Sequence, residues 1–320
     1  MSMKQKIVFL DASTLDYGDI DLSPLKMHGE LVTYGQTRPS ETAARLAGAV
    51  IAISNKVVLD REVLVRCPSL RFIAVAATGY NNIDVAAARE RGIGVANVAG
   101  YSTPSVAQFT MLFILALASR LTEYNAASRD GRWSASPIYT LGNWPTMELA
   151  GKVLGILGLG AIGSEVARLA RAFGMEVIAL RRPGVGYDGG VPRHGLLELA
   201  AMADFVSVHM PLTKESRHIV DGTFLAAMKR SAFLVNMARG PLVDPAALAD
   251  ALASRTIAGA AIDVMEKEPP DAGDPLLKAP NIIITPHISW ATLESRRRLV
   301  AEIGRNIAAF MAGETRNIVS

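Results

Sequence analysis

Lys152-Val-Leu-Gly-Ile-Leu-Gly-Leu-Gly-Ala-Ile-Gly163 is the stretch of this 320-residue chain that decides its fold. An apolar run, Val153, Leu154, Ile156 and Leu157, leads into glycines at 158, 160 and 163. Ile162, Val166, Leu169, Ala170 and Phe173 then recur at helical spacing until Gly174. A buried parallel strand, a tight turn and an amphipathic helix are expected. In such a turn the first glycine allows the sharp reversal, the second lets backbone approach a diphosphate, and the third lets helix pack on strand. The anion then sits at the positive end of the helix. Glu176–Leu180 reads as the next strand. The bare glycine pattern also arises in ordinary βαβ turns, so the flanking context carries the nucleotide reading.

The rest of the chain agrees with an α/β protein. Half of it is hydrophobic, and the formal net charge is only +3. The one local cluster of basic residues, Arg296-Arg297-Arg298, falls on an expected helix and reads as a solvated face, which argues against a nucleic-acid partner. No apolar run reaches the roughly 18 residues of a membrane span. The N-terminus runs directly into the strand Ile7–Leu10, without the pattern of a signal peptide. Cys67 is the single cysteine. That excludes a disulfide scaffold or a thiolate metal site and fits a reducing cytoplasm. It precedes Pro68 and reads as buried filler.

Residues 6–100 alternate apolar strands (Ile7–Leu10, Ala49–Ile53, Phe72–Val75, Val95–Asn97) with helices at Ser40–Leu46, Asp60–Arg66 and Asp84–Arg91. Residues 102–129 read as one long helix, and the Trp-, Pro- and Tyr-rich stretch to Thr146 reads as a covering or dimerisation segment. Residues 151–285 supply six more strands, and Ala291–Ala312 a last helix that returns to the first domain. The expected architecture is two Rossmann-like, doubly wound parallel-sheet domains with the active site in the cleft between them. Residues 1–100 with 288–320 form the substrate domain. Residues 101–287 form the dinucleotide domain, with 102–146 as its interdomain helix and dimerisation segment.

Three polar side chains each follow an apolar strand, where open α/β sheets place ligands. They are Arg239 after Phe233–Asn236, Glu268 after Ile257–Ile262, and His287 after Ile282–Thr285. Hydride transfer to a 2-keto acid needs a cation for the carboxylate, a proton carrier for the oxygen, and an acid that orients that carrier. Arg239, His287 and Glu268 match those needs. On spacing alone a structural histidine and a helix-capping Arg-Gly turn stay open as the alternative.

The motifs Ala77-Thr-Gly-Tyr-Asn-Asn-Ile-Asp84, Gly158–Gly163, His209-Met-Pro-Leu-Thr213, Asn236-Met-Ala-Arg-Gly-Pro-Leu-Val-Asp244, Asp263-Val-Met-Glu-Lys-Glu-Pro269 and Thr285-Pro-His-Ile-Ser-Trp290 occur in this order. Together they resemble the D-2-hydroxyacid dehydrogenase family over essentially the whole chain. The resemblance implies catalytic roles for Arg239, Glu268 and His287. Glu268 is preferred to Glu266 because the family's acid immediately precedes the proline. It further implies that Thr78, Gly158, Gly160, Ala161, Ile162, Met210, Met237, Ala238, Arg239, Asp263 and His287 surround the cofactor, Asp263 at its carboxamide. Substrate is expected at Ala76, Ala77, Gly79, Arg239, His287 and Trp290, with packing as the other reading of Trp290. No metal is implied, and a homodimer is.

Where an NAD-preferring member carries an acid after the second strand, this chain has Arg181 and Arg182. An acid would repel a 2′-phosphate and arginine would pair with one, so NADP(H) is the expected cofactor, with NAD(H) left open. Within the family the chain resembles glyoxylate/hydroxypyruvate reductases of the glycerate dehydrogenase type. Dehydrogenases for lactate, phosphoglycerate or bulkier D-2-hydroxy acids are the rivals, as is a corepressor-like nucleotide sensor. On this reading the regulatory domain of long phosphoglycerate dehydrogenases is not expected. His209 reads as cofactor-adjacent and structural, and His28, His194 and His218 as surface or packing residues.

Overall fold

The computed structural model describes residues 5–181 and 190–320. They form two compact units, Met1–Ser102 with Trp290–Ser320, and Thr103–Ser289.

The first unit holds a five-stranded parallel sheet of β1 (Lys6–Phe9), β2 (Glu30–Thr33), β3 (Ile51–Ser54), β4 (Phe72–Val75) and β5 (Gly94–Ala96), in the order β2-β1-β3-β4-β5. Alternate residues serve opposite faces. Ile7, Phe9, Ile51, Ile53, Phe72 and Ala74 pack with Leu299, Val300, Ile303 and Ile307 of the helix Leu293–Met311. Val8, Leu10, Ala52, Ile73 and Val75 pack with Leu64, Ala87 and Ala88 of the helices on the other face. Each such buried aliphatic side chain stabilises by about 1.5–3 kcal/mol. Phe310 stacks on Phe72 at 4.6 Å, adding about 0.5–1.5 kcal/mol. Asp60 and Asp84 cap their helices by accepting from Val63 N and Ala87 N. The strand β2 escapes sequence analysis because it is an edge strand whose only apolar residues are Leu31 and Val32, both half-exposed. Cys67 is free and buried in this unit's core, and burial raises its thiol pKa.

The second unit holds seven parallel strands: β6 (Val153–Leu157), β7 (Glu176–Leu180), β8 (Arg193–His194), β9 (Phe205–Val208), β10 (Phe233–Asn236), β11 (Gly259–Ile262) and β12 (Ile282–Ile284), ordered β12-β11-β10-β9-β6-β7-β8. The strand β8, two residues long, carries no sequence signal. The chain winds outward through β7 and β8, then returns to the other side of β6 through β9 to β12. The switch point therefore lies between β6 and β9, where such sheets bind ligands beyond the carboxyl ends of their strands.

The single helix expected over 102–129 is two helices, Thr103–Ser119 and Leu121–Arg129, bent by 61°. Arg120 adopts a left-handed conformation (φ 54°), which interrupts the i→i−4 ladder, and its guanidinium pairs with Glu123 at 3.0 Å. Apolar composition continues through the break, so periodicity cannot reveal it. Among the described residues no single helix is long and apolar enough to cross a membrane.

Candidate active site

The glycine turn is built by close approach. Gly158 has φ +105°, and a Cβ there would lie 2.6 Å from Met210 N and 2.8 Å from His209 C. A Cβ at Gly163 would lie 2.2 Å from Gly158 O. Both glycines are thus required by neighbouring backbone. Gly160 differs, because a Cβ there would meet nothing within 4 Å. It precedes the helix Ala161–Ala172, whose N-terminus has no side-chain cap. The first-turn N–H groups, Ala161 and Ile162 among them, lack intrahelical acceptors and face a cradle without side chains. That is what a dinucleotide's diphosphate requires, so the residues fit the group. Met210 follows β9, and Met237 and Ala238 follow β10, in the same row of strand ends. Arg181 follows β7, is exposed, and donates its backbone N–H to His194 O at 2.8 Å. Glu198 accepts from Gly195 N at 3.2 Å and bonds His194 Nδ1 at 2.7 Å. His194, then Gly195, lower the Glu198 carboxyl pKa. Arg182 lies outside the described residues.

The ends of β10, β11 and β12 bring together Arg239, Glu268 and His287. Asn236, 1% exposed, donates from Nδ2 to Arg239 O (2.9 Å) and accepts from Ala238 N (3.1 Å), which shapes the arginine turn. Arg239 Nη1 donates to Ala238 O at 2.7 Å. Glu268 accepts from Met265 N through Oε1 (3.0 Å), and its Oε2 lies 2.6 Å from His287 Nδ1. The carboxylate fixes Nδ1 as the protonated nitrogen and leaves Nε2 to exchange a proton. Nε2 has no hydrogen-bond partner among the described residues. The side chains of His287 and Glu268 are 23% and 34% exposed, so the pair is reachable.

His287 has φ +54°, a rare conformation for a residue with a Cβ. Asp263 sustains it. This carboxylate, 1% exposed, accepts from Thr285 Oγ1 (2.5 Å), Ile288 N (2.9 Å) and Ser289 N (2.9 Å), so it grips the histidine turn on both sides. Both of its oxygens are engaged within the chain.

In the first unit, Ala76 is buried, and its N–H donates to Ser54 O at 2.8 Å. Beyond it, no acceptor is found among the described residues for the N–H groups of Ala77, Thr78 and Gly79. The Thr78 hydroxyl donates to Val98 O at 2.9 Å, and Asn97 Nδ2 to Thr78 O at 2.6 Å, which holds this loop open as a row of donors. Trp290, partly buried, packs edge-on against Tyr101 at 6.3 Å, beside the core of this unit.

His209 is excluded as a proton carrier near neutral pH. Burial pushes its imidazole down to about 3, Nδ1 is enclosed without a partner among the described residues, and Nε2 lies 2.6 Å from Ser207 Oγ. Among the described residues no group of three or more His, Cys, Asp or Glu side chains is placed to hold a metal. Sequence analysis did not single out Asn236 or Gly240 as parts of the site. An asparagine closing a strand before a turn was the available signal for the first. The second stands out only in the fold, where a Cβ would lie 2.0 Å from Met265 C in the loop of Glu268.

Comparison with known proteins identifies the family of the chain. Residues 111–289 match the family described as D-isomer specific 2-hydroxyacid dehydrogenase, NAD binding domain. The chain is 39% identical to a hydroxypyruvate reductase of Blautia hydrogenotrophica, over 98% of this chain and 99% of that one. Among solved structures it resembles the TT0316 protein of Thermus thermophilus, with a TM-score of 0.88, 37% identity and coverage of 99% and 100%. It also resembles an NADPH-dependent glyoxylate/hydroxypyruvate reductase of Sinorhizobium meliloti in complex with NADP and malonate, with a TM-score of 0.84, 28% identity and coverage of 99% and 97%.

Proposed function

Because the chain belongs to the D-isomer specific 2-hydroxyacid dehydrogenase family, we propose that it uses NADPH to reduce small 2-keto acids, glyoxylate and hydroxypyruvate, to D-2-hydroxy acids. The enzyme class, an NAD(P)-dependent 2-hydroxyacid dehydrogenase, comes with membership. The observation that carries the mechanism is the 2.6 Å contact of Glu268 with His287 Nδ1, which leaves Nε2 as the exchangeable site.

When bound at Gly158–Ile162, with Met210, Met237, Ala238 and Asp263 around it, the nicotinamide cofactor supplies the hydride. His287 delivers the proton from Nε2 to the carbonyl oxygen as negative charge develops there. Glu268 holds Nδ1–H and stabilises the imidazolium, as an orienting carboxylate does. Arg239 offers its guanidinium to the substrate carboxylate. Substrate choice rests on resemblance to the reductases. Initial rates over a panel of 2-keto acids with both cofactors test it. Glyoxylate and hydroxypyruvate are expected to give the highest kcat/KM, and high efficiency confined to bulky keto acids would overturn the assignment.

Preference for NADPH rests on Arg181 after β7, where an acid would bind the ribose diol. A charge-assisted contact is worth about 1.5–3 kcal/mol. Replacing Arg181 and Arg182 together is therefore expected to move the NADPH-to-NADH ratio of kcat/KM about 10- to 100-fold toward NADH. An unchanged ratio would remove these arginines from phosphate recognition.

A homodimer is the assembly we propose. The segment after Thr103 presents Leu112, Leu121, Trp133, Ile138 and Tyr139 to solvent, Tyr139 at 91% exposure. Such an apolar surface calls for a partner. Sedimentation at micromolar concentration is expected to give twice the chain mass.

A further inference from the structure

We propose that Glu266, held by Arg217 beside His218, is a positioning residue that sets Glu268 against His287. The proposal rests on the roles given above to Glu268 and His287. Glu266 and Glu268 stand two residues apart in one acidic motif, and the fold sends them to different partners. Glu268 reaches His287, whereas Glu266 Oε1 accepts from Arg217 Nη2 and lies 3.5 Å from the buried Nε2 of His218.

Arg217 and His218 are themselves tied to the turn that carries Arg239. His218 donates its N–H to Pro241 O at 2.8 Å from a left-handed backbone (φ 52°). Val220 N then donates to Leu242 O at 3.1 Å, and Asp244 N to Val220 O at 3.0 Å. The His218 ring also lies 3.9 Å from Asp244 Oδ2. The arginine turn thus carries a side-chain arm that closes on the loop of Glu268.

The arm acts through one residue, Met265. Glu266 is bonded to Met265, whose N–H holds Glu268 Oε1 at 3.0 Å while Oε2 of the same carboxylate faces His287 Nδ1. A shift of Glu266 moves that N–H, rotates the carboxylate and loosens its hold on the imidazole. An ion pair whose arginine is 52% exposed adds little to stability. Its consequence is geometric, and small displacements at a reacting group cost rate steeply.

The test compares Glu266→Ala, Glu266→Gln and the double variant Arg217→Met/His218→Asn, each in the wild-type and Glu268→Gln backgrounds. Asparagine tolerates the left-handed backbone at 218. With NADPH and glyoxylate, Glu266→Ala and the double variant are expected to lower kcat about five- to tenfold with KM for glyoxylate within about twofold. Glu266→Gln keeps an acceptor for Arg217 and should stay within about twofold of wild type. In the Glu268→Gln background the same changes should cost less than about twofold, because the group they position is gone. Equal losses in both backgrounds, or a folded double variant with normal kcat, would overturn the proposal even if Glu266→Ala fails to fold. Normal turnover in Glu268→Gln alone would overturn both this proposal and the role of Glu268. A damaged Glu268→Gln beside an unaffected Glu266→Ala would overturn this proposal only.

Discussion

His287→Ala is expected to reduce 2-keto acids about two to four orders of magnitude more slowly than the wild type, the range contributed by a positioned general acid. NADPH binding should stay within about threefold, since the glycine cradle and the end of β7 are distant in sequence and hold their geometry through other contacts. The expectation is specific to this histidine. Its Nδ1 is held by Glu268 at 2.6 Å. Its backbone is held in a left-handed conformation by the hydrogen bonds of Asp263 to Ile288 N and Ser289 N. Strain of that kind costs about 1–3 kcal/mol and persists only where surrounding contacts over-determine it. His209, the other histidine at a strand end, is held neutral by burial and cannot substitute. Steady-state turnover with a fluorescence titration of NADPH makes the measurement. Turnover within about tenfold of wild type would remove His287 from proton transfer.

Gly240→Ala is expected to damage stability and catalysis together. A Cβ at 240 would lie 2.0 Å from both the carbonyl carbon and oxygen of Met265, and 2.4 Å from Glu266 N. These are backbone atoms, so no rotamer change relieves the overlap, and the turn of Arg239 must separate from the loop of Glu268. Overpacking of this kind costs about 1–3 kcal/mol or more, which in a unit of the size of Thr103–Ser289 lowers Tm by about 2–4 °C per kcal/mol. The displacement should also lower kcat/KM about 100-fold, because the arginine and the Glu268–His287 pair lose their mutual geometry. Differential scanning fluorimetry and steady-state rates would measure the two effects. A variant with unchanged Tm and unchanged kcat/KM would show that the two loops tolerate separation.

The two glycine sites show what could be read in advance. Gly158, Gly160 and Gly163 are legible because local periodicity on both sides marks the strand-turn-helix, although the backbone that crowds Gly158 is that of His209 and Met210. Gly240 is required by the later loop at Met265 and Glu266, so nothing local distinguishes it from any Arg-Gly turn. The acids of Asp263–Pro269 behave in the same way. Glu266 and Glu268 both follow the end of β11, and only the resemblance to the family, through Pro269, selects Glu268 in the sequence. Only packing turns one toward His287 and the other toward Arg217 and His218. The break at Arg120 and the strands β2 and β8 carry no mark in the apolar pattern.

By itself the sequence determined the two parallel-sheet α/β units, the dinucleotide turn, and the placing of Arg239, Glu268 and His287 after successive strands. Those features follow from alternation of apolar runs and from residues beside them in the chain. The tertiary structure alone decided that β10, β11 and β12 lie side by side, so that these three residues share one row of strand ends. It also decided that Asp263 holds the backbone of His287, and that Gly240 lets the arginine turn touch the glutamate loop. Those contacts join residues far apart in sequence, and their distances exist only once the sheet has brought the strand ends together.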